Sequence, residues 1–212
     1  MISLFTRFVV ALAVASLITR PVQAPQQPAP LSQTAHAQAV AAFQQELNAE
    51  YSDPARTPLP AADQRRFTGL PFFPADYSYY VEARLVRDST SAPFAMKVST
   101  PRVAMYRKYG ELHFTLQGQP LKLTVYESLS LKQKPGYEDY LFLPFTDPSN
   151  GHETYGGGRY LDLRVPAGNV IWLDFNRAYN PFCAYSNGYS CPIPPAENRL
   201  PLPIRAGVRS DH

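Results

Sequence analysis

Four carboxylates, Glu153, Asp162, Asp174 and Glu197, are the side chains of this sequence best placed to do chemistry. They stand among Tyr, Asn and Arg residues between positions 147 and 199. Two carboxylates held close together can divide general acid and general base work, as they do in glycoside hydrolysis. The same groups can instead pair with Arg159, Arg177 and Arg199, since bidentate guanidinium–carboxylate pairs fasten a loop. Asp162 lies between Leu161 and Leu163, so in a strand it faces away from the apolar side. Glu153 and Glu197 fall in loops, and Asp174 falls near a strand end.

A second set of residues has the chemistry of binding rather than catalysis. Tyr155, Gly157, Arg159, Asn176, Arg177, Tyr179, Asn180 and Asn198 supply aromatic faces, donors and acceptors of the kind that line a small polar pocket. The run Tyr155-Gly156-Gly157-Gly158-Arg159 has two readings. It is a tight turn with a bulge entering a strand, or its backbone amides face a ligand at one end of a sheet. It is not a P-loop, because the Lys-Ser/Thr pair and the following helix are absent. No Gly-x-Ser-x-Gly elbow, Rossmann fingerprint, EF-hand loop or His-Glu-x-x-His motif occurs. Among the four histidines only His152 lies near another motif, too few ligands for a metal. No cofactor is expected.

The elements that must position these residues are mostly strands. From Tyr79 the hydrophobic period is two: Tyr79, Val81, Ala83 and Leu85 alternate with polar residues. Phe94 to Val98 and Val103 to Tyr109 are shorter, weaker runs. Leu112 to Leu116 and Leu121 to Val125 flank Gln117-Gly118-Gln119-Pro120 and form the clearest hairpin. Tyr140 to Phe145, Tyr160 to Val165 and Val170 to Phe175 complete seven or eight strands. Turn signals between them predict a mostly β fold, an antiparallel barrel or sandwich with one face buried and one wet. One helix precedes it: Val40, Phe43 and Leu47 have helical spacing over Gln33 to Tyr51, Ser32 or Thr34 can cap it, and Pro54 ends it.

The chain ends on a long proline-rich segment that must close the domain. Pro181, Pro192, Pro194, Pro195, Pro201 and Pro203 fix φ and remove donors, which excludes a helix or a central strand. Its motifs are Asp174-Phe175-Asn176-Arg177-Ala178-Tyr179-Asn180-Pro181, Glu197-Asn198-Arg199-Leu200 and Ile204-Arg205-Ala206-Gly207. With Gly69-Leu70-Pro71-Phe72-Phe73-Pro74 and Glu153 to Leu161, they resemble the bacterial domain-of-unknown-function family 1684, from about Arg66 to Gly207. Phe182 departs from the pattern, which usually has a second proline there. Larger members carry a further N-terminal half with a Trp-Leu-Leu-rich start, so the resemblance is to a short form. Glu153, Asp174 and Glu197 fall in these motifs and Asp162 directly follows one, but the family implies no activity.

Cys183 and Cys191 are the only cysteines, spaced eight apart around a Ser-Asn-Gly turn, and in an exported protein they suggest a local disulfide. Free thiols and metal ligands are the alternatives. Export itself is read from Met1 to Ala24: Arg7, the apolar run Phe8 to Ile18, and the small-x-small site Val22-Gln23-Ala24. An uncleaved anchor is the alternative, but the run is too short to span a bilayer. Residues 25–32 read as a disordered Pro/Gln/Ala linker, 33–66 as a helical segment and 67–208 as the β domain.

The 212 residues therefore hold one domain after the leader, in the periplasm or secreted. Twenty-two prolines argue against an all-helical chain. A net charge of +3, with bases scattered among acids, excludes the electrostatic footprint of nucleic-acid binding. Three functions remain. The first is a binding module for a small polar or sugar-like ligand, its cleft between the Gly156–Gly158 loop and Asp174–Asn180, within the 151–160 and 174–199 motifs. The others are a hydrolase using two of the four carboxylates, and a purely structural envelope protein.

Overall fold

The computed structural model describes residues 29–210. The leader over residues 1–24 and the start of the linker lie outside them. The described chain opens with α1 (Gln33–Ser52), whose N-terminus is capped by Ser32 Oγ accepting from the Ala35 amide at 3.2 Å. A short α2 (Ala61–Gln64) follows. Seven strands come next: β1 (Tyr80–Arg87), β2 (Phe94–Met96), β3 (Ala104–Leu116), β4 (Gln119–Ser128), β5 (Tyr140–Phe145), β6 (Arg159–Arg164) and β7 (Val170–Asp174).

All pairings are antiparallel, in the order β6-β5-β4-β3-β1-β7, with β2 added beside β3. β6 and β7 are consecutive in sequence yet terminate opposite ends of this path. In a flat sheet, five spacings of about 4.8 Å would separate those edges by about 24 Å. The link over residues 165–169 reaches only about 20 Å when fully extended. The sheet is therefore curled into a half-barrel. Its inner face holds the main core, including Leu112, Phe114, Leu123, Leu141, Leu143, Phe145, Leu161, Leu173 and Phe175.

The hairpin is β3–β4, turning at Gln117 (φ 50°) and Gly118 (φ 76°), the two positive φ values of a type I′ turn. The runs Val103 to Tyr109 and Leu112 to Leu116, expected as separate, are one strand, β3. A bulge between Lys108 and Gly110 joins them, and a Cβ at Gly110 would lie 2.4 Å from the Val86 carbonyl oxygen. The bulge interrupts the alternation, which is why the runs look separate in sequence.

The outer face is not uniformly wet. Met96, Val98, Ala104, Tyr106, Tyr126, Phe142 and Tyr160 form a second buried cluster on it. The proline-rich segment covers this cluster by adding backbone contacts without being a strand. Ile193 donates to Lys97 O at 2.8 Å, Thr146 donates to Asn198 O at 3.0 Å, and Leu200 donates to Thr146 O at 2.8 Å. β4 is consequently buried on both faces from Leu123 to Ser128.

The helix α1 lies on the sheet domain through one stripe. His36, Val40 and Tyr51 are buried, and Leu47 and Tyr51 join a third cluster with Leu70, Phe182, Tyr185 and Val208. Among the described residues no helix is long and apolar enough to cross a membrane.

Candidate functional site

The polar motifs divide into two kinds of place. The first kind is interior and engaged with the fold. Arg159 opens β6 with its side chain on the inner face, 0 % exposed. Its Nη2 donates to Asp147 Oδ2 at 2.9 Å and to Ile204 O at 2.7 Å, and its Nη1 donates to Ala206 O at 2.5 Å. Asp147 is equally buried, and its Oδ1 accepts from the amides of Ser149 (2.8 Å) and Ile204 (3.1 Å). Burial pulls the Arg159 pKa down and the Asp147 charge opposes it. Asn198 joins β4 to β5: Oδ1 accepts from Thr124 N at 2.7 Å, and Nδ2 donates to Thr124 O and Pro144 O. Asn176 ties Asp174 to Asp76 by accepting from Asp76 N and donating to Asp76 O, each at 2.9 Å.

These side chains cannot meet a ligand while they hold the fold. Arg159, Asn176 and Asn198 are therefore corrected from ligand contacts to interior fasteners. Gly157 is also explained locally. A Cβ there would lie 2.4 Å from the Tyr155 ring, and the Tyr155 hydroxyl donates to Cys183 O at 3.5 Å. The glycine run is a tight turn, closed by Gly158 N donating to Tyr155 O at 3.1 Å. The cleft expected between it and Asp174–Asn180 is absent, because Tyr160 and Tyr179 exchange backbone hydrogen bonds at 2.9 and 3.0 Å. Asn180 is buried, with Nδ2 donating to Tyr185 Oη at 3.3 Å.

The four carboxylates are dispersed. Glu153 accepts from Arg205 Nε at 2.9 Å, and Glu197 pairs with Lys108 at 3.0 Å and accepts from Tyr126 Oη. Asp174 meets His36 Nε2 at 3.1 Å. None of these partners is Arg159, Arg177 or Arg199, so pairing holds as a principle while the partners differ. Cys183 and Cys191 are joined by a disulfide, with Cα atoms 6.2 Å apart. Among the described residues no group of three His, Cys, Asp or Glu gathers as a metal site.

The second kind of place is open. Asp162 sits on the outer face of β6, exposed, where its Oδ1 accepts from the hydroxyls of Tyr140 and Tyr179, both at 2.7 Å. Tyr140 reaches it as a diagonal cross-strand neighbour, because Phe142 stands opposite Asp162 in the β5–β6 register. Burial pushes the pKa of both hydroxyls above their ordinary value, and the Asp162 charge adds to it. They therefore stay protonated and donate. Asp162 Oδ2 accepts no hydrogen bond from the described residues.

Asp162 and Tyr179 line a groove of about 630 Å³ between α1 and the edge of the sheet, with Phe43, Glu46, Tyr137 and Phe182. Glu50 and Arg56 also border it and pair with each other at 3.3 Å. Arg177 lies over the ring of Phe43, 5.1 Å from its centroid. Of the expected site residues, Asp162 and Tyr179 line this hollow, and Arg177 packs on Phe43 in its wall.

A family described as "Protein of unknown function (DUF1684)" matches residues 65–209. The chain belongs to this family. The solution NMR structure of the uncharacterized protein from gene locus rrnAC0354 of Haloarcula marismortui is similar at 34% identity and a TM-score of 0.65. The match covers 82% of this chain and 94% of that one. No curated protein matches the chain. The family match takes in the whole sheet and the closing segment, and it leaves α1, one wall of the groove, outside.

Sequence reasoning missed Tyr140, Tyr137, Phe43 and Glu46 as site residues. Tyr140 becomes a partner of Asp162 only through the strand register, which local pattern does not contain. It missed His36 as the partner of Asp174, although His36 stands four residues before Val40 on the apolar stripe of α1. A histidine on such a stripe is a signal of a buried polar partner.

Proposed function

We propose that this protein is a binding module for a small polar ligand, held in the groove between α1 and β6. One observation carries the reading. Asp162 is an exposed carboxylate on the groove wall, with one oxygen held by two tyrosine hydroxyls and no hydrogen bond from the described residues on the other. A charged group held in place before a ligand arrives binds at lower entropic cost. Four aromatic rings, Phe43, Tyr137, Tyr179 and Phe182, give apolar walls around it. Hydroxyl-rich and amine ligands suit this combination, because both donate to a carboxylate and both rest on aromatic faces.

The leader sequence and the Cys183–Cys191 disulfide support an exported location, since such bonds persist in oxidising compartments. The hydrolase reading draws no support from the four motif carboxylates, since each has its own partners and no two line a common hollow.

The test is a thermal-shift screen of the protein against sugars, polyols and amines, repeated on Asp162→Asn and Tyr179→Phe. A compound that raises the wild-type melting temperature and loses this effect on both variants supports the reading. A screen in which no compound moves the wild type, or in which the shift survives both substitutions, overturns it.

A further inference from the structure

Most residues of the polar loop 147–159 and of the motif Glu197-Asn198-Arg199-Leu200 have work to do in the fold. Asp147 and Arg159 pair in the interior. Ser149 Oγ meets Thr154 Oγ1 at 2.8 Å, and Asn150 holds the Asp147 amide at 2.7 Å and Tyr155 O at 3.1 Å. Glu153 takes Arg205, Gly157 makes room for Tyr155, and Gly158 has φ +88° with the Phe145 carbonyl where a Cβ would stand. Glu197 takes Lys108, Asn198 joins two strands, and Leu200 is core.

Gly151 turns at φ +79° with its amide donating to Thr154 O at 2.8 Å, and Pro148 has no amide donor, so three potential donors are left over: His152, Gly156 and Arg199. All three are exposed, and the side chains of His152 and Arg199 make no hydrogen bond or ion pair with the described residues. Gly156 has no positive φ, and a Cβ there would meet only the Gly151 backbone at 3.7 Å, an ordinary contact. The fold does not require a glycine at that position. Its amide has no carbonyl partner among the described residues. These leftovers do not scatter. They line one hollow of about 460 Å³, with Thr146, Pro148 and Asn150.

Its electrostatics are one-sided. Asp147 also borders it, but both its oxygens are taken and its charge is cancelled by Arg159. Glu153, next to His152, is held by Arg205. The uncompensated group is the Arg199 guanidinium. Its backbone is fixed by the ladder contacts of Asn198 and Leu200 with Thr146, which alternate it outward. A guanidinium, an imidazole and a glycine without a side chain bordering one hollow are groups of the kind that hold an oxyanion.

We propose that this hollow is a second binding site, distinct from the groove under α1, and that it takes a small oxyanion, a carboxylate or a phosphate. Arg199 supplies the paired donors, His152 a third, and the missing Cβ of Gly156 lets the anion reach the backbone.

The experiment is a titration of the full protein with inorganic phosphate and, separately, acetate, followed by the backbone amide resonances at constant ionic strength with chloride as the control. Saturable shifts centred on Gly156 and His152 with either anion, weakened about tenfold or more in Arg199→Gln, support the site. Phosphate alone would assign a dianion, and both anions would assign the carboxylate-sized group they share. Arg199 is exposed, so unchanged resonances elsewhere in Arg199→Gln establish that the variant folds. Asp162→Asn should leave this titration unaltered, which separates it from the groove. Linear shifts that chloride reproduces, or an unchanged affinity in Arg199→Gln, would overturn the proposal.

Discussion

Arg159 and Asp162 stand on the same six-residue strand, and the odd spacing between them puts their side chains on opposite faces. Both are charged and both belong to polar motifs. Arg159 is wholly buried, with Asp147 and two carbonyls around it. Asp162 is exposed, with two tyrosine hydroxyls on one oxygen and the other free. The difference teaches how to sort polar residues in a loop-rich fold. Burial among charged and carbonyl partners marks a fastener, even with the Arg159 Nε left unpaired, and exposure in a fixed geometry with an open valence marks a binding group.

The comparison breaks most directly at Arg159. Arg159→Leu strands the Asp147 carboxylate in the interior, and unfolding in denaturant should report a loss of about 3–5 kcal/mol. Adding Asp147→Asn removes the stranded charge while Oδ1 still accepts from Ser149 and Ile204, so the double variant should be more stable than Arg159→Leu alone. A single-variant loss below about 1 kcal/mol would show that water reaches the pair and would blur the distinction from Asp162.

Asn198 and the disulfide test the same side more mildly. Asn198→Ala leaves the Thr124 amide and two carbonyls without a partner between β4 and β5, and should cost about 2–3 kcal/mol in the same measurement. The bond between Cys183 and Cys191 closes a loop of separation 8, so Cys183→Ser with Cys191→Ser should lower stability by about 2.5 kcal/mol on the loop-entropy account. On the open side the expectation reverses. Asp162→Asn keeps an acceptor for Tyr140 and Tyr179 at an exposed position and should change stability by less than about 1 kcal/mol.

Much of this architecture was legible in the sequence, and its limits follow from range. The β3–β4 hairpin, the capped helix and the mostly β class rest on local signals: alternation, Gln117-Gly118, Ser32. The disulfide was suggested by the spacing, the turn between the cysteines and the export reading. The partners of the charged residues were not legible, because they are set by register and by the return of the closing segment. Arg159 meets Ile204 and Ala206 across the whole C-terminal wrap, Asp174 meets His36 of α1, and Tyr140 reaches Asp162 only once Phe142 is placed opposite it. Motifs rich in Asn and Arg look alike whether they fasten or bind. Which they do depends on which face of the strand they occupy, and a bulge such as that at Lys108–Gly110 resets that face.

Glu197 is the intermediate case and sharpens the boundary. Its side chain is 41 % exposed, yet it meets Lys108 at 3.0 Å and Tyr126 at 3.0 Å, where the closing segment crosses β4. Burial pushes its pKa up, but hydrogen bonds from its own amide, Lys108 and Tyr126, with the Lys108 charge, outweigh it and hold the folded value below 4.5. A carboxylate depressed on folding stabilises fully above its unfolded pKa, and that stability disappears as pH falls through the lower folded value. Wild type should therefore exceed Glu197→Gln in melting temperature at neutral pH, by a small margin given the exposure. The margin should close as pH falls below about 4.5. A margin that stays constant into acid would mean that Glu197 acts by shape, as Asn198 does beside it. A margin that is absent at neutral pH would place Glu197 with Asp162, as a surface charge the fold does not use.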